Sequence, residues 1–210
     1  MLTPQHSRLI NVAARTILRP LGCVQKGRSR TWLDDQSWWV GVVEFQPSGW
    51  ARGSYLNVGA CWLWSEKNYL SFDAGHRVQE FQPFIDDEQF SLVAQKLAER
   101  ASQEVTVLRE RFQSPSHVQA WLTARSPASI WDHYHLAVAA GLAGAIDQSK
   151  QSFADVMSDP EDRSWAIEIR RRSAEFMRCL EIGDGFEAEV MDTIKRTRGL
   201  LGLPSLREGP

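Results

Sequence analysis

The sequence has few cysteines, and they show no metal-binding or redox spacing. Cys23, Cys61 and Cys179 lie far apart, and no Cys-x-x-Cys pair occurs. Because three is an odd number, the cysteines cannot all pair with one another within the chain. We therefore expect reduced thiols, with neither a disulfide framework nor a zinc site, as is typical of a cytosolic protein.

Long hydrophobic runs are also absent. A membrane-spanning helix needs about 18 or more consecutive apolar residues, and no segment of the chain approaches that length. Near the N-terminus, Arg8, Arg15 and Arg19 interrupt the apolar residues, so a continuous signal-peptide core is missing. These absences predict a soluble, cytoplasmic protein with no membrane partner.

Neither sign of charge is in large excess. The chain contains 24 Lys and Arg residues and 26 Asp and Glu residues, which gives a net charge of -2. The basic segments 169–173 and 195–198 have acidic neighbours and no interleaved aromatic residues, a pattern typical of solvated helix faces. We therefore expect no nucleic-acid partner.

Motifs for cofactors and metals are missing as well. The sequence has no Gly-x-Gly-x-x-Gly or phosphate-loop pattern. His133 and His135 are two apart on a predicted helix, so they face different directions and cannot chelate one ion. We therefore expect no cofactor and no metal. Asp132 and His135 are three apart and can pair, which resembles half of a catalytic dyad, although no serine or cysteine lies in an elbow motif to complete it.

The residues that are present predict an α+β fold. A first helix is expected over about 4–19. Within residues 25–84, segments that are continuously apolar or that alternate between apolar and polar residues are separated by turn residues, which predicts an antiparallel β-meander of about four strands. After residue 86 the apolar residues recur at steps of three and four, which predicts a C-terminal helical half. We assign the halves to 1–113 and 114–210, packed against each other.

Several finer expectations concern these helices and the core. One long helix is predicted over about 127–157, beginning at Ser126-Pro127, since a capping side chain before proline is typical of a helix start. The first helix is predicted to bury Leu9, Val12, Ala13, Thr16 and Ile17. The predicted core residues are Val43, Trp62, Leu97, Trp131 and Phe176.

Polar residues interrupt the apolar strands between residues 38 and 64. Glu44 and Gln46 share a face of one strand, and Tyr55 and Asn57 share a face of the next, so a hairpin brings the four together as a polar cluster. Arg28 and Arg30 could extend it. One interpretation is a recognition patch with Arg and aromatic anchors; the other is that the buried amides satisfy one another or the loop backbone.

The connection between these strands carries Trp50 and Arg52. A loop does not need Trp to fold, and a large apolar side chain beside an Arg is typical of partner-binding loops. The alternative is that Trp50 folds back over the sheet edge. We also expect Asn57 and Gln46 to cap the loop backbone and hold Trp50 and Arg52 outward.

Residues 17–64 resemble a bacterial domain family to which no function has been assigned. The resemblance rests on ILRPLGCVQKGRSRTW, VVEFQPSGW and GSYLNVGACWLW, which match a helix ending in Leu-Gly, a basic Lys-Gly-Arg strand and two further strand patterns. It covers about the first half of the chain and implies the fold without an activity. The matching positions include Gln46, Ser48, Tyr55, Asn57 and Gly59, whereas Cys23 stands where an aromatic residue is usual.

Taken together, these features predict a non-enzymatic interaction module that binds a protein partner, in the manner of an immunity or regulator protein. This prediction rests on the aromatic and Arg-rich surfaces of the loop and strands, and on the lack of a catalytic constellation in the sequence. The alternative is a small hydrolase or transferase that uses Asp132, His135 or the region of Glu44.

Overall fold

The computed structural model describes residues 4–206, which form two compact units. The first unit comprises residues 4–63 and 67–110, and the second comprises residues 64–66 and 111–206. Within the described residues, no helix is both long and apolar enough to cross a bilayer.

The first unit is a five-stranded antiparallel sheet with helices before and after it. The strands lie in sequence order and each pairs with the next, so the predicted α+β class and antiparallel meander are confirmed. The predicted count of about four is corrected to five, because β1 has two residues and is too short to leave a strand pattern. The elements are α1 (Gln5–Leu18), a 3-10 turn (Arg19–Leu21), β1 (Val24–Gln25), β2 (Thr31–Asp35), β3 (Trp39–Glu44), β4 (Gly53–Trp62), β5 (Ala74–Pro83) and α2 (Asp87–Arg111).

One sheet face packs against α1 and α2. Arg30, just before β2, donates to Ser7 Oγ of α1 at 3.4 Å, and Arg109 of α2 donates to both carboxylate oxygens of Asp34 at 2.6 and 2.9 Å. The apolar residues on this face exclude water and form the core of the unit. The predicted core positions Val43, Trp62 and Leu97 are buried.

The predicted inward face of α1 is wrong by one residue. Ile10, Ala14 and Leu18 are fully buried, whereas Val12 is 60% exposed. The helix contains adjacent apolar pairs at 9–10, 13–14 and 17–18, and either member of each pair gives a stripe with a spacing of four. Periodicity alone could not choose between the two stripes.

The second unit is helical. The single helix predicted over 127–157 is corrected to two helices, because Gly144 adopts a left-handed φ of +79° and ends the first of them. Its start is also corrected, since Ser129 rather than Ser126 is the N-cap. The helices are α3 (Pro115–Ala124), α4 (Ile130–Leu142), α5 (Ile146–Ser158), α6 (Ser164–Ile182) and α7 (Phe186–Leu201).

The core of the second unit is aromatic. Phe176 is fully buried, as predicted, and lies 5.9 Å from Phe153 and 5.5 Å from Phe186 between ring centroids. Trp131 was predicted as a core residue but is only half-buried. Its ring stacks on Trp165 at 5.7 Å, so the two tryptophans cover each other near the surface.

Candidate functional site

The polar cluster forms where β3 leads into the loop and β4 leaves it. Glu44 lies directly opposite Asn57 in the antiparallel register, and the Tyr55 amide donates to the Gln46 carbonyl at 2.9 Å. This register puts the four side chains on one face of the sheet. The Asn57 amide donates to Glu44 Oε2 and to Gln46 Oε1, both at 2.9 Å. The structure therefore brings together the four residues that the alternation grouped.

Arg77 of β5 completes the cluster, although no local pattern in the sequence indicates this role. Its guanidinium donates to Asn57 Oδ1 at 3.3 Å and to Gln46 Oε1 at 3.1 Å, and lies 4.2 Å from the centroid of the Tyr55 ring. A cation over an aromatic face gains electrostatic stabilisation from the ring. Because Asn57 both donates and accepts here, its half-buried amide is satisfied by neighbouring side chains.

A cavity of about 440 Å³ opens beside the cluster. A Cβ on Gly59 would lie 2.6 Å from the Cα of Gly75, so only two glycines allow β4 and β5 to approach so closely. Phe72 packs over this pair. The cavity is lined by Asn57, Phe72, Gly75, His76, Arg77 and Glu80. Asn57 and Arg77 bond to each other, so a ligand here would have to compete with a satisfied network.

The Trp50 loop, residues 47–52, projects from the same end of the hairpin. The Trp50 side chain is 99% exposed, which excludes the alternative that it folds back over the sheet edge. The Trp50 amide donates to Ser48 Oγ at 3.1 Å, a local bond that tightens the turn. Arg52 is also exposed, while its carbonyl accepts from the Phe84 amide at 2.9 Å. The loop backbone is therefore bonded on both sides of Trp50.

Gly53 and Arg30 form the base of this loop. Gly53 has φ +153°, and a Cβ there would lie 2.2 Å from the Gln82 carbonyl, so glycine is required for the close approach of β5. Arg30 donates to the Gly53 carbonyl at 3.3 Å through both terminal nitrogens and also to Ser54 Oγ. Burial lowers the pKa of Arg30 to about 10, partly offset by the charge of Glu44, so Arg30 keeps its charge at neutral pH.

These contacts differ from two expectations. Arg30 was expected to extend the polar cluster, but it bonds to the base of the loop, and Arg28 is exposed in the turn between β1 and β2. Asn57 was expected to cap the loop backbone, but its amide bonds to side chains of the cluster. Gly53 lies 23 residues after Arg30 in the chain. Because the residues around Arg30 contain no pattern that identifies so distant a partner, this role of Arg30 could not be predicted.

Asp132 and His135 lie on α4. The Asp132 carboxylate accepts from the backbone amide and hydroxyl of Ser129 at 3.1 and 2.8 Å, and Ser129 Oγ accepts from the Asp132 amide, which is a reciprocal capping box. The buried His135 accepts at Nδ1 from Trp64 Nε1 at 3.0 Å and stacks on Trp131 at 5.8 Å. Both side chains thus contribute to the structure at the start of α4.

All three cysteines are free thiols, and Cys23 and Cys61 are buried. Burial, followed by the charge of Asp34, raises the pKa of Cys23 to about 11, which disfavours the reactive thiolate. Across residues 4–206 no three His, Cys, Asp or Glu side chains come together in a group that could hold a metal ion.

No family model, curated protein or solved structure matches this chain.

Proposed function

We propose that this chain is a non-enzymatic interaction module that binds a protein partner through the Trp50 loop. The observation that carries the proposal is the full exposure of Trp50 on a loop whose backbone is bonded on both sides. Burying a Trp side chain removes about 150–250 Å² from water, which at roughly 25 cal/mol per Å² is on the order of 5 kcal/mol. The fold leaves this stabilisation unused at position 50, and a partner that covers the ring would gain it.

The loop is suited to binding because its conformation is set before a partner arrives. Gly53 lies too close to β5 for any side chain, and Arg30 fixes the Gly53 carbonyl from below. A loop that is already ordered loses less entropy on binding, so more of the contact energy contributes to affinity. Trp and Arg are also the residue types most enriched at energetically dominant positions of interfaces, and here Arg52 lies two residues from Trp50.

The resemblance over residues 17–64 concerns the fold that presents the loop, since it implies no activity. We group the chain with that bacterial family and propose for this chain a regulator- or immunity-like role in the cytosol. Gln46, Tyr55 and Asn57 are three of the matching positions, and all three contact Arg77. The cluster would then be a shared structural support for the sheet end that presents the loop.

The hydrolase or transferase alternative gains no support from Asp132 and His135. Each side chain already has a hydrogen-bond partner within the second unit, Ser129 for Asp132 and Trp64 for His135.

Site-specific photo-crosslinking tests the proposal. A photoreactive benzophenone amino acid replaces Trp50 in one variant and Leu92 in the control, since Leu92 lies on α2 of the same unit and is 61% exposed. On irradiation in the source cell, position 50 should give a discrete protein adduct that position 92 does not. Adducts of equal yield and identity at the two positions would contradict the proposal.

Quantitative binding to the crosslinked partner then gives a second measurement. The Trp50→Ala, Arg52→Ala double variant should bind the purified partner at least about tenfold more weakly, because these two residues are the proposed anchors. The control variant, Leu92→Ala, Lys96→Ala, removes one apolar and one basic side chain from α2. It should bind the partner as tightly as the unmodified chain does. Retained affinity in the first variant would show that the loop is not the binding surface.

A further inference from the structure

The basic residues of the first unit are distributed unevenly along the chain. The first 33 residues contain no Asp or Glu, yet they contain six Lys or Arg residues. Arg30 is buried and bonded to the base of the Trp50 loop, whereas the other five are exposed on α1, the 3-10 turn and the turn between β1 and β2. Among the described residues, none of these five has an ion-pair partner. They are Arg8, Arg15, Arg19, Lys26 and Arg28.

Three of these arginines converge on one groove. Arg8 and Arg15 of α1 and Arg28 of the β1–β2 turn line a groove of about 350 Å³, which we call the arginine groove. Its other lining residues within the described range 4–206 are Asn11, Val12, Gln25 and Gly27, and none of these carries a carboxylate. Three like charges around one concave surface repel one another, and a bound anion would relieve that repulsion.

We infer that the arginine groove binds an acidic, extended segment of a protein partner. A guanidinium matches a carboxylate with two parallel hydrogen bonds, and three such groups in one groove suit a run of Asp or Glu side chains. The inference rests on the proposed function in one respect, because the acidic segment is assigned to the same partner that contacts Trp50.

Two features of the groove favour a peptide over other anions. Val12 in the groove is 60% exposed, which provides aliphatic contact for a side chain of the peptide. Among the described residues that line the groove, none has an aromatic ring on which a nucleic-acid base could stack.

The arginine groove lies at the same end of the sheet as the Trp50 loop. In an antiparallel meander the β1–β2 turn and the β3–β4 loop are at one end, since alternate connections share an end. Arg30 joins them directly, because it closes the turn and donates to the Gly53 carbonyl at the end of the loop. One partner surface can therefore reach both.

Fluorescence anisotropy with a labelled octa-glutamate peptide tests the inference on the full chain. The Arg8→Ala, Arg15→Ala, Arg28→Ala variant should bind the peptide at least about tenfold more weakly than the unmodified chain. The matched control is Arg163→Ala, Arg171→Ala, Lys195→Ala, which removes three exposed charges that are paired in the second unit. Its affinity should stay within about twofold, and thermal melting confirms that both variants are folded.

Several outcomes would overturn the inference. They are a lack of peptide binding by the unmodified chain, an equal loss in both triple variants, and tighter binding to a single-stranded DNA oligonucleotide or to phosphatidylserine vesicles than to the peptide. Binding of octa-glutamine as tightly as octa-glutamate would overturn it too, since charge would then be irrelevant.

If position 50 crosslinks a partner whose affinity survives the triple variant, the proposed function stands and this inference fails. If the peptide result holds but position 50 gives no adduct, the proposed function fails alone.

Discussion

The two units use the same residue types in opposite ways. In the second unit Arg171 donates to Glu168 at 2.5 Å and Arg196 to Glu66 at 2.8 Å, while Trp131 and Trp165 stack on each other. In the first unit the side chain of Trp50 is fully exposed, and the three cations of the arginine groove lack ion-pair partners among the described residues. These residues of the second unit are paired within it, whereas Trp50 and the three arginines of the first unit remain available at one end of the sheet.

This difference shows that the density of basic residues in a sequence is a poor guide to a basic surface. The run 169–173 is the densest, but carboxylates neutralise it: Arg172 alone contacts Glu175 at 2.8 Å and Glu189 at 2.6 Å. The residues before 34 look less basic because their arginines are spread out, yet no acid lies among them. What matters is whether a carboxylate lies within reach after folding.

The largest expected effect concerns the base of the Trp50 loop, on which the comparison depends. Gly53→Ala would place a Cβ 2.2 Å from the Gln82 carbonyl at a φ that favours glycine. Such a clash and the backbone strain should together lower the free energy of unfolding by about 3 kcal/mol or more. Urea unfolding, followed by far-UV circular dichroism, measures the change.

Gly49→Ala is the matched control for this substitution. Gly49 lies in the same loop, and a Cβ there would meet no atom within 4 Å. The free energy of unfolding should therefore change by less than about 0.5 kcal/mol. Equal effects at positions 49 and 53 would mean that the loop is loosely attached, and that Trp50 is exposed through mobility rather than held outward.

A pair of tryptophan substitutions sharpens the contrast between the units. Trp131→Ala should destabilise the protein by about 2 kcal/mol, since it exposes Trp165 and removes the ring stacked on His135. Trp50→Ala should change the free energy of unfolding by less than about 0.5 kcal/mol, because the ring makes little contact with the fold. Denaturant titration of both variants decides the point, and a cost at position 50 equal to that at 131 would refute the contrast.

Much of the hairpin could be predicted because its pattern is local. Because side chains alternate in direction along a strand, Glu44 shares a face with Gln46, and Tyr55 shares a face with Asn57. The short loop between β3 and β4 then brings the two pairs together. Arg77 could not be placed in the same way. The register between β4 and β5 shifts between Ser54 and Leu56 and again between Leu56 and Asn57, so simple counting does not bring residue 77 opposite residue 57.

The break between α4 and α5 shows a second limit. The segment GLAGA contains two glycines at helix-compatible spacing, and propensity does not distinguish them. Gly141 lies within α4, where a Cβ would be 2.4 Å from the ring of Phe186, whereas Gly144 has a left-handed φ of +79° and ends the helix. The need for glycine at 141 thus comes from a contact between residues 45 positions apart, which the local sequence does not reveal.

The smallest expected effect tests whether the Trp50 loop holds Arg52 close enough to α1 to act on His6. Burial, the charge of Arg30 and then the charge of Arg52 lower the pKa of His6 below its usual 6.5. Between that lowered pKa and 6.5 the unfolded chain binds a proton that the folded chain does not, so His6 contributes a loss of stability as pH falls through this window. Arg52→Ala removes one of the three causes, so the pKa of His6 should rise toward 6.5 and the loss of stability should become smaller.

NMR titration of the His6 ring proton, assigned with His6→Gln, measures this change in the pKa. Arg28→Ala is the control, because Arg28 is not among the groups that shift this pKa. An unchanged His6 pKa in Arg52→Ala would show that the loop does not hold Arg52 near α1, and the rigid presentation of Trp50 would lose its support.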